Sequence, residues 1–416
     1  MENERIIDRV MKKGVRRIGI MTGGGDCPGL NAVVRSAVFM AKKHDIEVIG
    51  IPFGYRGLYL GGSYFKPLST DDVVGIIDQG GTILNSSNKD NLFRYPRRDR
   101  TGILKDDDGN IIYDDFSDHA IDNLKRAKID AMIIVGGDGT LTSGRDYSRL
   151  GVPVVGVPKT IDNDLRSTDI TFGFDTAVTR CAEVVECVRT TGEAHNRVMF
   201  IEVMGRNAGH IALHTALSTG ADMVLIPEIA YDSKMLVDTI REKLLTDKSA
   251  IIIVSEGVEP PDESAYETKI VEGSPDAVRF GGVASAIAEF VEKHLNSIRD
   301  VHGYAISETL IDVECRATNV GYAQRGGTPT VNDRILSTRF GAYAVTELLG
   351  RLELDEHGNY GRMVAVKDNA LTSVSLEDVI SSNNMIDNQR KVEVRGEIVE
   401  LARDMGISFG DRFAYN

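Results

Sequence analysis

One stretch limits this chain more than any other: residues 131–164, AMIIVGGDGTLTSGRDYSRLGVPVVGVPKTIDND. Two short apolar runs, Ala131–Val135 and Val152–Val157, are stopped by Gly136-Gly137 and by Pro158. Between them, Thr140–Leu150 has the length of about three helical turns. The order strand, helix, strand reads as a parallel pair with both carboxyl ends on one sheet edge, where open α/β sheets bind their ligands. GGDGT and PKTIDND therefore face one crevice. The first loop brings glycines, a carboxylate and a helix start, and the second a lysine, a threonine and two carboxylates. Such a set suits the handling of a phosphoryl group.

The same alternation continues through the chain. Strands are expected at Arg17–Met21, Glu47–Pro52, Arg197–Val203, Met223–Pro227, Ala250–Val254, Glu308–Arg316 and Gly361–Asp368. Helices are expected after TGGGDCPGLN and over Ser69–Asp78, Phe172–Thr190, Phe280–Lys293 and Ser337–Leu349, with a charged helix outside the core at residues 1–16 and a helical, charged remainder to Asn416. Strand and helix in turn imply an α/β fold with mainly parallel sheets. The glycine loop TGGGDCPGLN opens a helix, and backbone N–H groups there suit an anion. It is not GxGxxG, and no acidic residue is placed to read a ribose, so a nicotinamide fingerprint is weak. Phe93–Asp115 reads as a surface insertion with a hairpin at DGN, its cluster Arg94, Arg97, Arg98 and Arg100 facing solvent. Tyr55 and Tyr59 read as packing groups, and His195 as structural.

Composition narrows the partners. A length of 416 residues allows two domains, and a net charge of −14 argues against a general nucleic-acid binder. No apolar run reaches the ~18 residues of a membrane span, and the N-terminus lacks the apolar core of a signal peptide. Cys27, Cys181, Cys187 and Cys315 form no CxxC pair, which points to a reducing cytoplasm and no zinc site.

Nine segments in order, TGGGDCPGLN, GGTIL, GGDGT, PKTIDND, DITFGFDTA, HNR, EVMGR, SEG and QRGGTPTVNDR, give the chain a resemblance to the phosphofructokinases. The resemblance runs from about Arg17 through GRMVAVKDN and implies two similar Rossmann-like domains with the active site in the cleft between them. Residues 1–173 plus about 324–376 would carry the phosphoryl donor and magnesium, and residues 174–323 plus about 377–416 the sugar phosphate. The implied reaction moves a phosphoryl group to the 1-hydroxyl of fructose 6-phosphate. Asp162 matches the general base and Asp138 the Mg2+ ligand, flanked by Thr160 and Asp164. Arg206 matches the arginine that offsets charge on the migrating group. Gly24, Gly25, Gly137, Gly139, Thr140 and Lys159 would line the donor. Met204, Gly205, Glu256, Tyr322, Arg316 and Arg325 would hold the sugar, the two arginines on its 6-phosphate. Arg197 matches an arginine that reaches in from a neighbouring subunit, which implies a homo-oligomer, dimer or tetramer.

Two positions speak to the donor. Pyrophosphate-using members typically carry a second aspartate after the metal-binding one, where the α-phosphate of ATP must lie. Here that position is Gly139, which leaves room for a nucleotide. Lys159 is the residue that pyrophosphate users carry. Glycine decides the reading for ATP, because blocking the α-phosphate is a steric veto and an extra lysine is tolerated by either donor. The alternatives are a pyrophosphate-dependent phosphotransferase and, in another class, a non-catalytic sugar-phosphate sensor. Asn88 occupies the position usually given to a phosphate-bridging arginine, with Lys89 or Arg94 as substitutes. At the effector arginines of bacterial members, Arg35 matches one and Phe39 replaces the other.

Overall fold

The structure, a computed structural model, describes residues 4–100, 102–247, 249–261, 269–270, 278–279, 281–296, 313–381 and 388–412. In chain order the strands of its two main sheets are β1 Arg17–Thr22, β2 Glu47–Ile51, β3 Lys66–Leu68, β4 Ala131–Gly136, β5 Val154–Pro158, β6 Val198–Val203, β7 Met223–Leu225, β8 Ala250–Ser255, β9 Cys315–Asn319, β10 Gly361–Lys367 and β11 Ala370–Ser375. The larger sheet has the order β11-β10-β5-β4-β1-β2-β3, and the smaller β9-β6-β8-β7. Pairing is parallel throughout the smaller sheet and across the five inner strands of the larger one. Helices on both faces bury β4, β5, β6 and β8 at every position, which is why these segments read as unbroken apolar runs. The larger sheet ends in antiparallel strands. β3 is three residues long and carries Pro67, which lacks the N–H needed inside a ladder and blunts the edge.

The organising unit forms as read: β4, a helix over Asp138–Arg149, then β5. The N-terminal helix, Ile6–Lys13, does not lie outside the core as expected, since Ile6, Ile7 and Val10 are buried against it. The helix expected over Ser69–Asp78 shrinks to Thr70–Val73, capped reciprocally by Ser69 and Asp72. The helix expected from Ser337 starts at Val331, capped by Thr330. Of the strand expected at Glu308–Arg316, residues 308–312 lie outside the described set, and β9 runs on to Asn319.

The remainder, expected to be helical, is so only in part, with helices at Leu376–Val379 and Glu397–Asp404 among the described residues. Asp368 and Asn369 both take positive φ, 50° and 62°, which turns β10 back into β11 as a two-residue hairpin. Beyond it, the described tail joins the smaller sheet. Ser408 bridges Met223, and Gly410 O accepts from Asp232 N at 2.8 Å. None of the helices, among the described residues, is long and apolar enough to cross a membrane.

Candidate active site

The first glycine loop leaves β1 at Thr22. Gly23 and Gly136 both abut the Thr140 side chain, and a Cβ on Gly23 would sit 2.7 Å from Thr140 Cγ2. That close approach is what the glycine permits. Tyr55, buried as expected, donates its hydroxyl to Thr140 O at 2.6 Å. The loop is held from the other side by the segment after GGTIL: Gly24 N donates to Ser87 O at 3.0 Å and Ser86 Oγ to Gly24 O at 2.6 Å. The helix that follows begins only at Leu30, behind Pro28-Gly29. Lys159 is 5% exposed, and its Nζ donates to Gly25 O at 2.6 Å. Burial pulls its pKa down, and the positive charges of Arg325 and Arg206 pull the same way, against Cys27 and Asp162. Arg325 lies against Gly25, where a side chain would meet its guanidinium.

Two carboxylate loops converge beside this lysine. Asp138 opens the helix after GGDGT, and both its oxygens are buried with no hydrogen-bond partner among the described residues. Burial and then the charge of Asp164 push it up to about 7, while Asn388 and Arg145 pull it down. Asp164 is pushed up to about 6 by burial and by Asp162. Asp162 is 7% exposed, and its Oδ1 is likewise buried without a partner among the described residues. The turn that carries them is fixed locally. Asp162 N donates to Thr160 Oγ1 at 3.1 Å, Thr171 Oγ1 to Thr160 O at 2.8 Å, and Asn163 takes φ 52° while accepting from Thr171 N at 3.0 Å.

Buried carboxylates that raise one another's pKa without pairing are costly unless a cation joins them. The two orphaned oxygens of Asp138 fit a hard divalent cation, whose preferred donors are oxygens. Among the described residues no three acidic, histidine or cysteine side chains close into a metal cage. A cation such as Mg2+ would complete its shell with water and phosphate oxygens, as that ion prefers.

The third component comes from the smaller sheet. β6 ends at Val203, and Met204, Gly205 and Arg206 follow. Gly205 has φ 142° and Arg206 φ 50°, a left-handed conformation that costs a non-glycine residue roughly 1 kcal/mol or more and recurs at functional sites. Glu256, at the end of β8, holds this bend: its Oε1 accepts from Gly205 N at 3.3 Å and Arg206 N at 3.1 Å. Glu256, expected on the sugar hydroxyls, thus has one oxygen committed to the loop. Burial and the charge of Asp162 push it up to about 7. Gln324, fully buried, accepts from Met204 N at 3.0 Å and fixes the loop's start.

Two residues expected on the sugar, Arg316 and Tyr322, are not gathered here, and Arg197, expected to serve a neighbouring subunit's site, stands beside Arg316. Arg197 precedes β6, and Arg316 pairs with Met199 near the strand's start, whereas Arg206 lies past its end. Six residues of strand span ~17–20 Å. Both arginines form ion pairs with Glu314 instead. The physical reason is register: parallel pairing of β9 with β6 fixes Arg316 at the same edge as Arg197. Tyr322 is 84% exposed on its short turn. Asn88 and Lys89 are exposed, Arg94 stacks on Tyr113 at 4.3 Å, and Arg35 stacks on Phe39 at 4.5 Å. Gly137 caps the Asp138 helix, its O accepting from Leu141 N at 2.9 Å, and Gly139 is exposed in that helix's first turn.

Sequence reasoning missed Gln324, Ser86, Ser87 and the segment Asn388–Gln389–Arg390. Gln324 stood inside a recognised motif and had a signal. The last three sit in a polar run with no period and had none.

Comparison with known proteins identifies the family. The family model described as Phosphofructokinase matches residues 17–348. A Clostridium perfringens protein named ATP-dependent 6-phosphofructokinase 2 is 45% identical over 403 residues, 96% of this chain and all of the relative. A Chloroflexus aurantiacus ATP-dependent 6-phosphofructokinase is 38% identical over 397 residues, 95% of this chain and 98% of its own length. A pyrophosphate–fructose 6-phosphate 1-phosphotransferase of Amycolatopsis methanolica is also 38% identical, over 91% of this chain and 98% of its own. Among solved structures, the phosphofructokinase of Saccharomyces cerevisiae superposes with a TM-score of 0.68 at 25% identity, over 95% of this chain, which spans about half (48%) of the yeast one. The model match over most of the chain and these relatives together place it: the chain belongs to the phosphofructokinase family.

Proposed function

We propose that this chain is an ATP-dependent 6-phosphofructokinase of glycolysis, transferring the γ-phosphoryl group of ATP to the 1-hydroxyl of fructose 6-phosphate and releasing ADP. The observation that carries the reading is the convergence of Asp138 and Asp162, each with a buried, unpartnered oxygen, at the ends of neighbouring strands. Phosphoryl transfer asks a protein mainly for position and charge compensation. Asp162 takes the proton of the sugar hydroxyl as that oxygen bonds to phosphorus and the bond to the ADP oxygen breaks. Thr160 and Asp164 hold the turn and the water around it. Arg206 offsets charge on the moving group. Lys159, Gly24, Gly25, Gly137 and Thr140 shape the donor cradle, and Met204, Gly205 and Glu256 the sugar side. Asp138 would hold Mg2+, which would supply positive charge to neutralise the phosphates.

The relative at 45% identity is named an ATP enzyme, while at 38% an ATP enzyme and a pyrophosphate enzyme stand level. Gly139 supports ATP, being exposed and without a side chain to bar an α-phosphate. Lys159 favours the second reading, pyrophosphate, yet its ammonium is spent on Gly25 O. Purified protein with fructose 6-phosphate and Mg2+ should turn over with ATP and hardly with pyrophosphate; the reverse preference overturns the donor assignment.

Arg197, Arg316 and Arg325 complete the 6-phosphate site in this reading, the first two from a neighbouring subunit because they share the far edge of the smaller sheet. That makes the enzyme a homo-oligomer, with the two-domain partition at about residues 173, 323 and 376. Four free thiols fit a reducing cytoplasm.

A further inference from the structure

We propose that Gln389 and Arg390 are positioning residues that lock the carboxylate turn and set its place relative to the Arg206 loop. The inference rests on the reading above and concerns residues outside the stretch, 17–348, that the family model matches.

The turn Thr160–Asp164 has reasons to move. Asn163 is held at φ 52°, and Asp164 is crowded by the charge of Asp162 and itself crowds Asp138. Within its own stretch of chain, the bonds that hold it run to Thr171. Arg390 supplies the rest. Its Nε and Nη2 donate to Asn163 O at 3.2 and 2.8 Å, and its Nη1 donates to Thr168 O and Asp169 O at 2.7 and 2.9 Å. Its backbone N donates to Asp164 O at 2.6 Å. A rigid guanidinium fork thus ties the turn's Asn163 carbonyl to those of Thr168 and Asp169 further along the chain, and its charge sits where like charges crowd.

Gln389 joins this turn to the smaller sheet. Its Nε2 donates to Asp164 Oδ2 at 3.1 Å, and its Oε1 faces Asn207 Nδ2 at 3.5 Å. Asn207 is the residue after Arg206. The segment is fastened on the same side twice more: His210 Nε2 meets Arg390 O at 3.1 Å, and Glu228, which caps Gly209 N at 3.0 Å, accepts from Val392 N at 2.9 Å. One short stretch therefore grips the base-bearing turn with one face and the flank of the Arg206 loop with the other. A shift of about 1 Å between base and charge-compensating arginine is enough to cost ~10²-fold in rate.

The test is steady-state kinetics of Gln389→Leu and Arg390→Ala beside wild type, with ATP and Mg2+. Gln389→Leu should lower kcat about tenfold and Arg390→Ala ten- to a hundredfold, with KM for fructose 6-phosphate changed less than about threefold. Millimolar guanidinium should restore part of the Arg390→Ala loss, which damage to the fold at large would not allow. Wild-type kcat in Gln389→Leu, or a folded Arg390→Ala with no guanidinium recovery, overturns the proposal. If Arg390→Ala does not fold, the kcat of Gln389→Leu decides alone. An inactive wild type would instead bring down the functional reading itself, so the two failures are distinct.

Discussion

β6 carries an arginine beyond each end, and each is governed by one glutamate. Past its carboxyl end, Glu256 takes the backbone N–H groups of Gly205 and Arg206 and so fixes a strained bend. At its amino end, Glu314 takes the guanidinium groups of Arg197 and Arg316. A carboxylate bound to backbone sets where an arginine is; a carboxylate bound to the guanidinium occupies what the arginine would use. Under the function proposed above, the carboxyl end is the working end of the chain's own cleft, and the amino end offers its arginines to another chain.

Four experiments would break or sharpen the contrast. Asp162→Asn should have the largest effect, lowering kcat about 10²–10⁴-fold while calorimetry still detects fructose 6-phosphate binding. A mild effect would move the base off this cleft. Next, Arg206→Ala should cost kcat about 10²-fold, whereas Arg197→Ala should raise KM for the sugar with kcat little changed. Equal kcat losses would erase the difference between the two ends.

The glutamates should then differ in kind. Glu256→Ala leaves two N–H donors unpaired and should destabilise by about 1–3 kcal/mol in chemical denaturation, with a fall in kcat. Glu314→Ala should leave stability within about 1 kcal/mol, since it breaks partly exposed ion pairs. Matching losses would sink the distinction.

The smallest expected effect is on acid stability at the working end. Burial holds His210 neutral, pulling it down to about 4 from an ordinary 6.5. A group with a depressed folded pKa gives stability that is present above 6.5 and lost as pH falls toward 4. Thermal scans of His210→Gln should therefore fall less steeply between pH 6.5 and 4 than wild type. An unchanged slope would show that His210 takes no part.

The carboxylate half of the site was legible because its parts are neighbours along the chain. Asp138 and Asp162 terminate consecutive parallel strands, and the crossover rule alone brings them to one edge. The β10–β11 hairpin was missed although its Asp368-Asn369 turn was visible, because the following segment was read by charge and not by turn chemistry. The motif put Arg316 on the 6-phosphate without telling from which end of the sheet it comes. Only the pairing of Arg316 with Met199 shows that it belongs beside Arg197.

Gln389 was beyond reach altogether. It meets Asp164 across 225 residues of chain, from a polar run with no period or cap to mark it. The sequence by itself determined the fold class, the family and the two acidic loops, since apolar runs, glycine stops and strand–helix alternation are local properties. Tertiary structure alone decided which carboxylates stay unpaired, which end of β6 each arginine serves, and what clamps the turn. Those depend on strand register and on contacts between distant segments, and packing, not spacing along the chain, sets both.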